Sequence, residues 1–160
     1  MFEAKIRELH VEEAASMAAI EQSAHQHPWS LTLIEQTLRQ SGHFAYGAFL
    51  HDALIGYYVF QVIHDEGHLL NLCVSPTYQG RGYGTLLMSH FVQQAKLCEL
   101  RSLLLEVRAS NQAAIHLYRK FGFEVVGQRP NYYPTADGRE TALLMTCALV
   151  SEAGYNSRLC

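Results

Sequence analysis

The sequence lacks several features that would assign it to a special class of protein. Its 160 residues carry a formal net charge of −3, so no basic surplus indicates nucleic acid as the main partner. No apolar run reaches the roughly 18 residues that a membrane span needs, and the N-terminal MFEAKIRELH lacks the layout of a signal peptide. Hydrophobic residues make up 49% and charged residues 17%, which is typical of a folded domain in water.

Cysteine is sparse, and its spacing does not match the common metal and redox motifs. Cys73, Cys98, Cys147 and Cys160 include no CxxC pair, and the first three lie in apolar stretches. This pattern favours buried free thiols over a disulfide framework. We therefore expect a cytoplasmic protein. We also expect a monomer with no bound metal, no membrane attachment and no direct nucleic-acid binding.

The order of the sequence patterns indicates one layered domain. Strand-like and helical segments follow one another from AKIREL near the N-terminus to TALLMTCAL near the C-terminus, with no repeat or linker between them. We interpret residues 1–150 as one α/β (α+β) domain and residues 151–160 as a polar, loose tail. Helix caps are expected at Ser30 or Thr32 and at Ser110, and a loop is expected over RPNYYPTADGRE.

The segment YQGRGYGTLL places three glycines, Gly80, Gly82 and Gly84, at alternate positions between a predicted strand and a predicted helix. Glycine permits a positive φ and a close approach of the backbone to a ligand. The first N–H groups of a helix attract anions, and Arg81 adds a positive charge. The segment therefore suits a phosphate group, although a flexible turn is the simpler interpretation of such a loop.

Comparison with known phosphate-binding loops narrows the choice of ligand. The P-loop requires a lysine that is absent here, and the dinucleotide pattern G-x-G-x-x-G fails at Thr85. NAD binding, with Glu106 as the ribose-binding acid, stays open as an alternative. The pattern Q-x-x-G-x-G is matched by Gln79, Gly82 and Gly84. It resembles the acyl-coenzyme A loop of the GNAT acetyltransferase superfamily.

A second group of residues lies in LLLEVRASNQAAIHLYRKFGF. Glu106 is near the end of an apolar strand, and Tyr118 follows 118 − 106 = 12 residues later in a predicted helix, on the same face as Asn111 and Ile115. A carboxylate can remove a proton from an attacking amine, and a phenol can protonate a departing thiolate. Each residue alone also fits an ordinary surface or packing role.

The combined pattern L-E-V-R-x-S-N and L-Y-x-x-x-G-F resembles the RimI-type ribosomal-protein alanine N-acetyltransferases within the GNAT superfamily. NYYPTADGRE is similar to that group's loop before the last strand, and AHQHPWS is similar to its first-helix loop. The likeness is specific from about Asn71 to Met145 and weaker before that range, apart from PWS.

The resemblance implies a fold, a reaction and a set of site residues. The fold is a mixed, mostly antiparallel, splayed sheet flanked by helices. The reaction is transfer of acetyl from acetyl-CoA to the α-amine of an N-terminal alanine of a small-subunit ribosomal protein, with Glu106 as proton acceptor and Tyr118 as proton donor. Coenzyme contacts are implied for Leu72, Cys73, Val74, Gln79, Gly80, Arg81, Gly82, Tyr83, Gly84, Thr85 and Asn111. The entrance for the acceptor peptide is implied at Trp29, Tyr132 and Tyr133.

Several alternatives stay open from sequence alone. The enzyme could acetylate a lysine or a small amine, or the protein could be a non-catalytic acyl-CoA or nucleotide sensor. A covalent acetyl-cysteine route through Cys73 is conceivable. His64 and His68 are spaced as in a zinc motif but flank a predicted turn, and His25 is expected in a solvent loop without a carboxylate partner.

Overall fold

The structure is a computed structural model that describes residues 3–149. The predicted tail, residues 151–160, lies outside the described residues. The described strands are β1 (Lys5–Glu8), β2 (His43–Leu50), β3 (Ala53–Ile63), β4 (Glu66–Val74), β5 (Ser102–Arg108), β6 (Glu124–Thr135) and β7 (Gly138–Ala148), and the described α-helices are α1 (Ala14–Ala24), α2 (Leu31–Arg39), α3 (Tyr83–Leu97) and α4 (Gln112–Lys120).

The seven strands form one sheet in the order β1-β2-β3-β4-β5-β7-β6. The pairs β1–β2, β2–β3, β5–β7 and β6–β7 are antiparallel, whereas β4 and β5 are parallel. The parallel ladder extends from the pair Glu66–Ser102 to the pair Leu69–Leu105, and β4 continues beyond it to Val74. The predicted mixed, mostly antiparallel sheet with flanking helices is confirmed.

Contacts divide the chain into two compact units, and the first comprises the chain up to Val62 together with Leu70–Phe91. Its strands and helices enclose an apolar cluster. The cluster consists of Leu9, Ala14, Met17, Ala18, Ile20, Ile34, Ala45, Phe49, Tyr57, Val59 and Cys73.

The cap of α2 is Ser30, because the backbone N–H of Leu33 donates to its hydroxyl at 3.1 Å. Thr32, the other predicted cap, is therefore not the cap.

The second unit comprises Ile63–Leu69 and the chain from Val92 onward. Burial alternates along β5, so that Leu105 and Val107 are buried while Glu106 points to the other face. The predicted cap at Ser110 is wrong. The helix α4 starts one residue later, and the side chain of Asn111 accepts the N–H of Ala114 at 3.2 Å.

The segment RPNYYPTADGRE was predicted as a loop, and this prediction is wrong. The strand β6 continues to Thr135, and β7 begins at Gly138, so only two residues form the turn. The strand β6 is at the edge of the sheet. An edge strand tolerates the prolines of this segment, because one row of its N–H groups needs no partner strand.

The pairing of β6 with β7 contains a bulge. Arg129 pairs with Ala142 and Tyr133 pairs with Glu140, so three residues of β6 are opposite one residue of β7. Within the bulge, Asn131 has φ +54°. Such bulges bend a strand and redirect its side chains, and they are frequent beside active sites.

Two cysteines agree with the prediction of buried free thiols, namely Cys73 and Cys147. Cys98 is disulfide-bonded, so the prediction is wrong there. Cys98 follows the end of α3 and is only half-buried, although its sequence neighbours are apolar. Within residues 3–149, no helix combines the length and apolar character required to cross a membrane.

Candidate active site

The glycine loop of the first unit has the backbone that its sequence predicts. Gly80 has φ +74° and Gly82 has φ +90°. Residues other than glycine are strained in this region of φ. Apart from the adjoining residues, no atom of the described part of the chain lies within 4 Å of a Cβ added at either glycine, so the space beside both positions is open. The loop thus exposes bare backbone, which is what a phosphate-binding loop requires.

The loop leads directly into the N-terminus of α3. The backbone N–H of Leu86 donates to the carbonyl of Gly82 at 3.0 Å. The N–H groups of Tyr83, Gly84 and Thr85 precede that bond, at the positive end of a 15-residue helix. This arrangement suits an anion such as a pyrophosphate.

Side chains support the loop from both ends. The amide of Gln79 donates to the carbonyl of Val74 at 2.9 Å and so ties the loop to the end of β4. The guanidinium of Arg81 lies 5.8 Å from the ring centroid of Tyr78, and Tyr78 meets Tyr83 edge to face at 6.1 Å. A cavity of about 790 Å³ adjoins these residues, lined by Leu50, His51, Asp52, Ala53, Tyr78, Arg81 and Tyr83.

The end of β4 carries three of the predicted coenzyme contacts. Leu72 and Val74 are half-buried, whereas Cys73 is 2% exposed. Burial, followed by the nearby carboxylate of Glu21, raises the pKa of the Cys73 thiol to about 12. The thiol therefore stays protonated at neutral pH, which disfavours the acetyl-cysteine route.

Glu106 of the second unit is half-buried and forms an ion pair with β6. Its Oε1 atom lies 3.2 Å from Nη2 of Arg129, whose side chain is 54% exposed. Arg129 also lies over the ring of Tyr132, 5.4 Å from its centroid. The strand β6 thus places a cation, Arg129, beside the predicted base, and this residue was not identified from the sequence.

Tyr118 lies on the buried side of α4 and is 8% exposed. Burial, and then the neighbouring Tyr133, raises the pKa of Tyr118 to about 12. Burial, and then the carboxylate of Glu106, also raises the pKa of Tyr133 to about 12. Tyr133 therefore interacts electrostatically with both predicted catalytic residues, and all three belong to the second unit.

A network of contacts fixes the tyrosine pair of β6. Arg108 lies over the ring of Tyr133 at 4.6 Å and pairs with Glu140 at 3.0 Å. Hydrogen bonds from Ser110, followed by those from Arg108, lower the pKa of the Glu140 carboxyl. Tyr132 is 42% exposed and meets Tyr133 edge to face at 5.0 Å. Both rings thus have defined orientations, with Tyr132 open to solvent.

Asn111, the remaining predicted coenzyme contact, uses its side-chain oxygen to cap α4. Its amide nitrogen is not involved in that bond. The hydrogen bond therefore assigns Asn111 the role of helix cap, and its contact with the coenzyme stays a prediction.

The sequence analysis missed Glu21 of α1, whose side chain lies beside the predicted entrance residue Trp29. Trp29 is half-buried against the apolar cluster, and its backbone N–H donates to the carboxylate of Glu21 at 3.1 Å. His25 lies in the irregular segment after α1, as expected, but the expectation that it has no carboxylate partner was wrong, because Nε2 of its ring lies 4.0 Å from the Glu21 carboxylate. The helical spacing brings them together, since the two residues are four apart.

Comparisons with known proteins identify the family of this chain. The sequence profile of the acetyltransferase (GNAT) family matches residues 5–123. A [ribosomal protein bS18]-alanine N-acetyltransferase of Escherichia coli (strain K12) is 41% identical over 129 residues, which cover 79% of this chain and 84% of that protein. The protein of the same name from Haemophilus influenzae is 40% identical over 131 residues, covering 81% and 88%.

Solved structures of acetyltransferases are also similar to this chain. The crystal structure of the ribosomal-protein-S18-alanine N-acetyltransferase from Escherichia coli superposes with a TM-score of 0.89 at 36% identity, covering 96% of this chain and 98% of that one. Ard1 from Thermoplasma volcanium superposes with a TM-score of 0.83 at 25% identity, covering 92% and 99%. Family membership favours the acyl-CoA interpretation of the glycine loop over the NAD alternative. The chain belongs to the acetyltransferase (GNAT) family.

Proposed function

We propose that the protein transfers an acetyl group from acetyl-CoA to the α-amine of a protein's N-terminal alanine. The observation that carries this proposal is the 41% identity to a [ribosomal protein bS18]-alanine N-acetyltransferase over most of both chains. By that likeness, the proposed acceptor is the N-terminus of ribosomal protein bS18. The proposed compartment is the cytoplasm, and the proposed working form is one domain over residues 1–150 acting as a monomer.

Acetyl-CoA supplies the acetyl group as a reactive thioester. The glycine loop is proposed to hold its pyrophosphate through the N–H groups at the start of α3 and the charge of Arg81. The positive φ values of Gly80 and Gly82 and the open space beside them support this role. The backbone of Leu72–Val74 is proposed to bind the pantetheine arm, and Asn111 is proposed to contact the coenzyme.

Glu106 is proposed to accept the proton of the attacking amine, and Tyr118 to protonate the departing thiolate. An α-amine has an ordinary pKa of about 8, so much of it is protonated at neutral pH and a base is needed. The pKa of about 12 keeps the Tyr118 phenol protonated, as a proton donor requires. Most of the rate would come from holding the amine and the thioester together.

The acceptor peptide is proposed to enter past Trp29, Tyr132 and Tyr133. Tyr132 presents an exposed ring, and Tyr133 is fixed by Arg108. Aromatic side chains supply rigid contact area at a small entropic cost, which suits a short extended N-terminus.

Product mapping tests the proposal. A peptide with a free N-terminal alanine and one internal lysine is incubated with acetyl-CoA and the protein, and fragment-ion mass spectrometry locates the acetyl group. Acetylation of the α-nitrogen supports the proposed function. Acetylation of the lysine alone would transfer the function to a lysine acetyltransferase, and acetyl-CoA binding without acetylated product would indicate a small-amine enzyme or a sensor.

A further inference from the structure

The carboxylate of Glu21 is buried inside the first unit, and glutamate is seldom found in a protein interior. The residue is 1% exposed and lies on the same face of α1 as Met17 and Ala18. Removing a charged group from water costs free energy unless hydrogen bonds replace its hydration. Its burial therefore has to be explained by specific donors.

Three donors from three parts of the first unit meet this carboxylate. The backbone N–H of Trp29 donates to Oε1 at 3.1 Å. The hydroxyl of Tyr57 on β3 and the side-chain amide of Asn71 on β4 both donate to Oε2, the latter at 2.9 Å. Hydrogen bonds to a charged acceptor are stronger than neutral ones. Glu21 thus connects α1 with β3, with β4 and with the segment between α1 and α2.

The segment between α1 and α2 meets Glu21 through the backbone of Trp29. Residues 25–30 have no helical or strand structure, so repeating backbone hydrogen bonds do not hold them in place. Trp29 lies in their midst with its side chain against the apolar cluster and its N–H on Glu21. Asn71, another of the three donors to Glu21, immediately precedes the proposed coenzyme strand Leu72–Val74.

We propose that Glu21 is a positioning residue for the acceptor peptide, because it fixes the backbone of Trp29 to the strands beside the proposed coenzyme site. This inference rests on the proposed function, in which Trp29 lines the peptide entrance. Loss of the carboxylate releases the entrance segment and weakens peptide binding. Binding of acetyl-CoA, which uses backbone groups of β4 and of the glycine loop, is retained.

Metal binding is the other chemistry that this cluster could support. Glu21, His25 and Cys73 place one donor atom each within 4.8 Å of one another, and the buried Nε2 of His25 has no hydrogen-bond partner among residues 3–149. The observations favour the hydrogen-bonding role, because both oxygens of Glu21 already accept hydrogen bonds. The Cys73 thiol, with its pKa of about 12, also resists the deprotonation that a metal ligand needs.

The test combines kinetics with the fluorescence of Trp29, the single tryptophan of the chain. Glu21→Gln keeps the volume of the side chain but replaces one acceptor oxygen by a donor. Tyr57→Phe removes one donor and leaves the Trp29 contact in place. Glu35→Gln is the matched control, since it neutralises an acid on α2 that is paired with Arg39 at 3.8 Å. Melting temperatures establish that each variant is folded at the assay temperature.

For Glu21→Gln we expect greater acrylamide quenching of Trp29 and a KM for an alanine-terminated peptide raised by about 10-fold. The KM for acetyl-CoA is expected to stay at the wild-type value. Tyr57→Phe is expected to show a smaller change of the same kind, and Glu35→Gln none. If Glu21→Gln does not fold, Tyr57→Phe alone carries the test.

Three outcomes would overturn the inference. Unchanged quenching would mean that Glu21 does not hold the segment, and changed quenching with an unchanged peptide KM would mean that the segment is not the entrance. One equivalent of zinc bound by the wild type and lost in Glu21→Gln would make the cluster a metal site. Failure of the wild type to acetylate any peptide would contradict the proposed function instead. The quenching experiment would still test whether Glu21 holds the backbone of Trp29.

Discussion

Glu106 and Arg129 form an ion pair, with 3.2 Å between Oε1 and Nη2. The pair joins β5 to the residue of β6 that directly precedes the bulge. Arg129 is more than half exposed, and an exposed ion pair contributes at most about 1 kcal/mol. The pair is therefore expected to orient the carboxylate rather than to supply most of the rate.

Arg129→Gln tests that distinction. We expect kcat to fall by no more than about 5-fold, which corresponds to the free energy of an exposed pair. Arg129→Lys should retain most of the wild-type rate, because it preserves the charge. Steady-state kinetics with an alanine-terminated peptide provide the measurement, and a loss as large as that of a Glu106 variant would contradict this assignment.

Glu106→Gln removes the proposed base while keeping the shape of the side chain. Turnover is expected to fall by about 10²–10⁴-fold, the usual contribution of a general base, and most strongly at lower pH, where more of the amine is protonated. Glu124→Gln, which neutralises an exposed acid at the start of β6, is the control. Wild-type turnover in Glu106→Gln at low pH would remove Glu106 from the mechanism.

Tyr118→Phe removes only the hydroxyl of the proposed acid. We expect turnover to fall by about 10²-fold while the KM for acetyl-CoA is retained. The raised pKa means that the phenol is protonated below about pH 12, so the loss should be the same throughout the range from neutral pH to pH 10. Kinetics across this range measure it. A rate equal to that of the wild type would leave Tyr118 with a packing role alone.

Gly82→Ala tests the glycine loop. The φ of +90° is unfavourable for alanine by about 1–2 kcal/mol, so the loop should shift and the Kd for acetyl-CoA should rise by about 10-fold. Gly42→Ala is a close control, because Gly42 has φ +80° and an added Cβ would lie 3.5 Å from the carbonyl oxygen of Val62, an ordinary contact. Calorimetric titration should show weaker binding for the first variant only. Equal binding by both would contradict the assigned loop.

Much of the fold and of the proposed site could be predicted from the sequence, because short sequence motifs determine the local structure there. The glycines at positions 80 and 82 need a positive φ, and the structure has it at both. The position of Glu106 on β5 follows from the alternation of burial along an apolar strand. These features depend on local sequence, and local sequence is what motif analysis detects.

The errors arose where tertiary pairing or a one-residue shift decided the outcome. The segment RPNYYPTADGRE was interpreted as a loop, but pairing with β7 makes it a strand at the sheet edge, where its prolines are tolerated. The preference for Ser110 as a cap was reasonable, yet the helix begins one residue later at Asn111. Glu21 could have been found from its spacing of four from Met17, which places it on the apolar face of α1.

The measurement that tests the central claim most directly is coenzyme A release from acetyl-CoA with two matched peptides. One peptide has a free N-terminal alanine and no lysine, and its twin has a blocked N-terminus and one internal lysine. The account predicts release with the first peptide and none above background with the second. Release with the second peptide alone would contradict it and establish a lysine acetyltransferase.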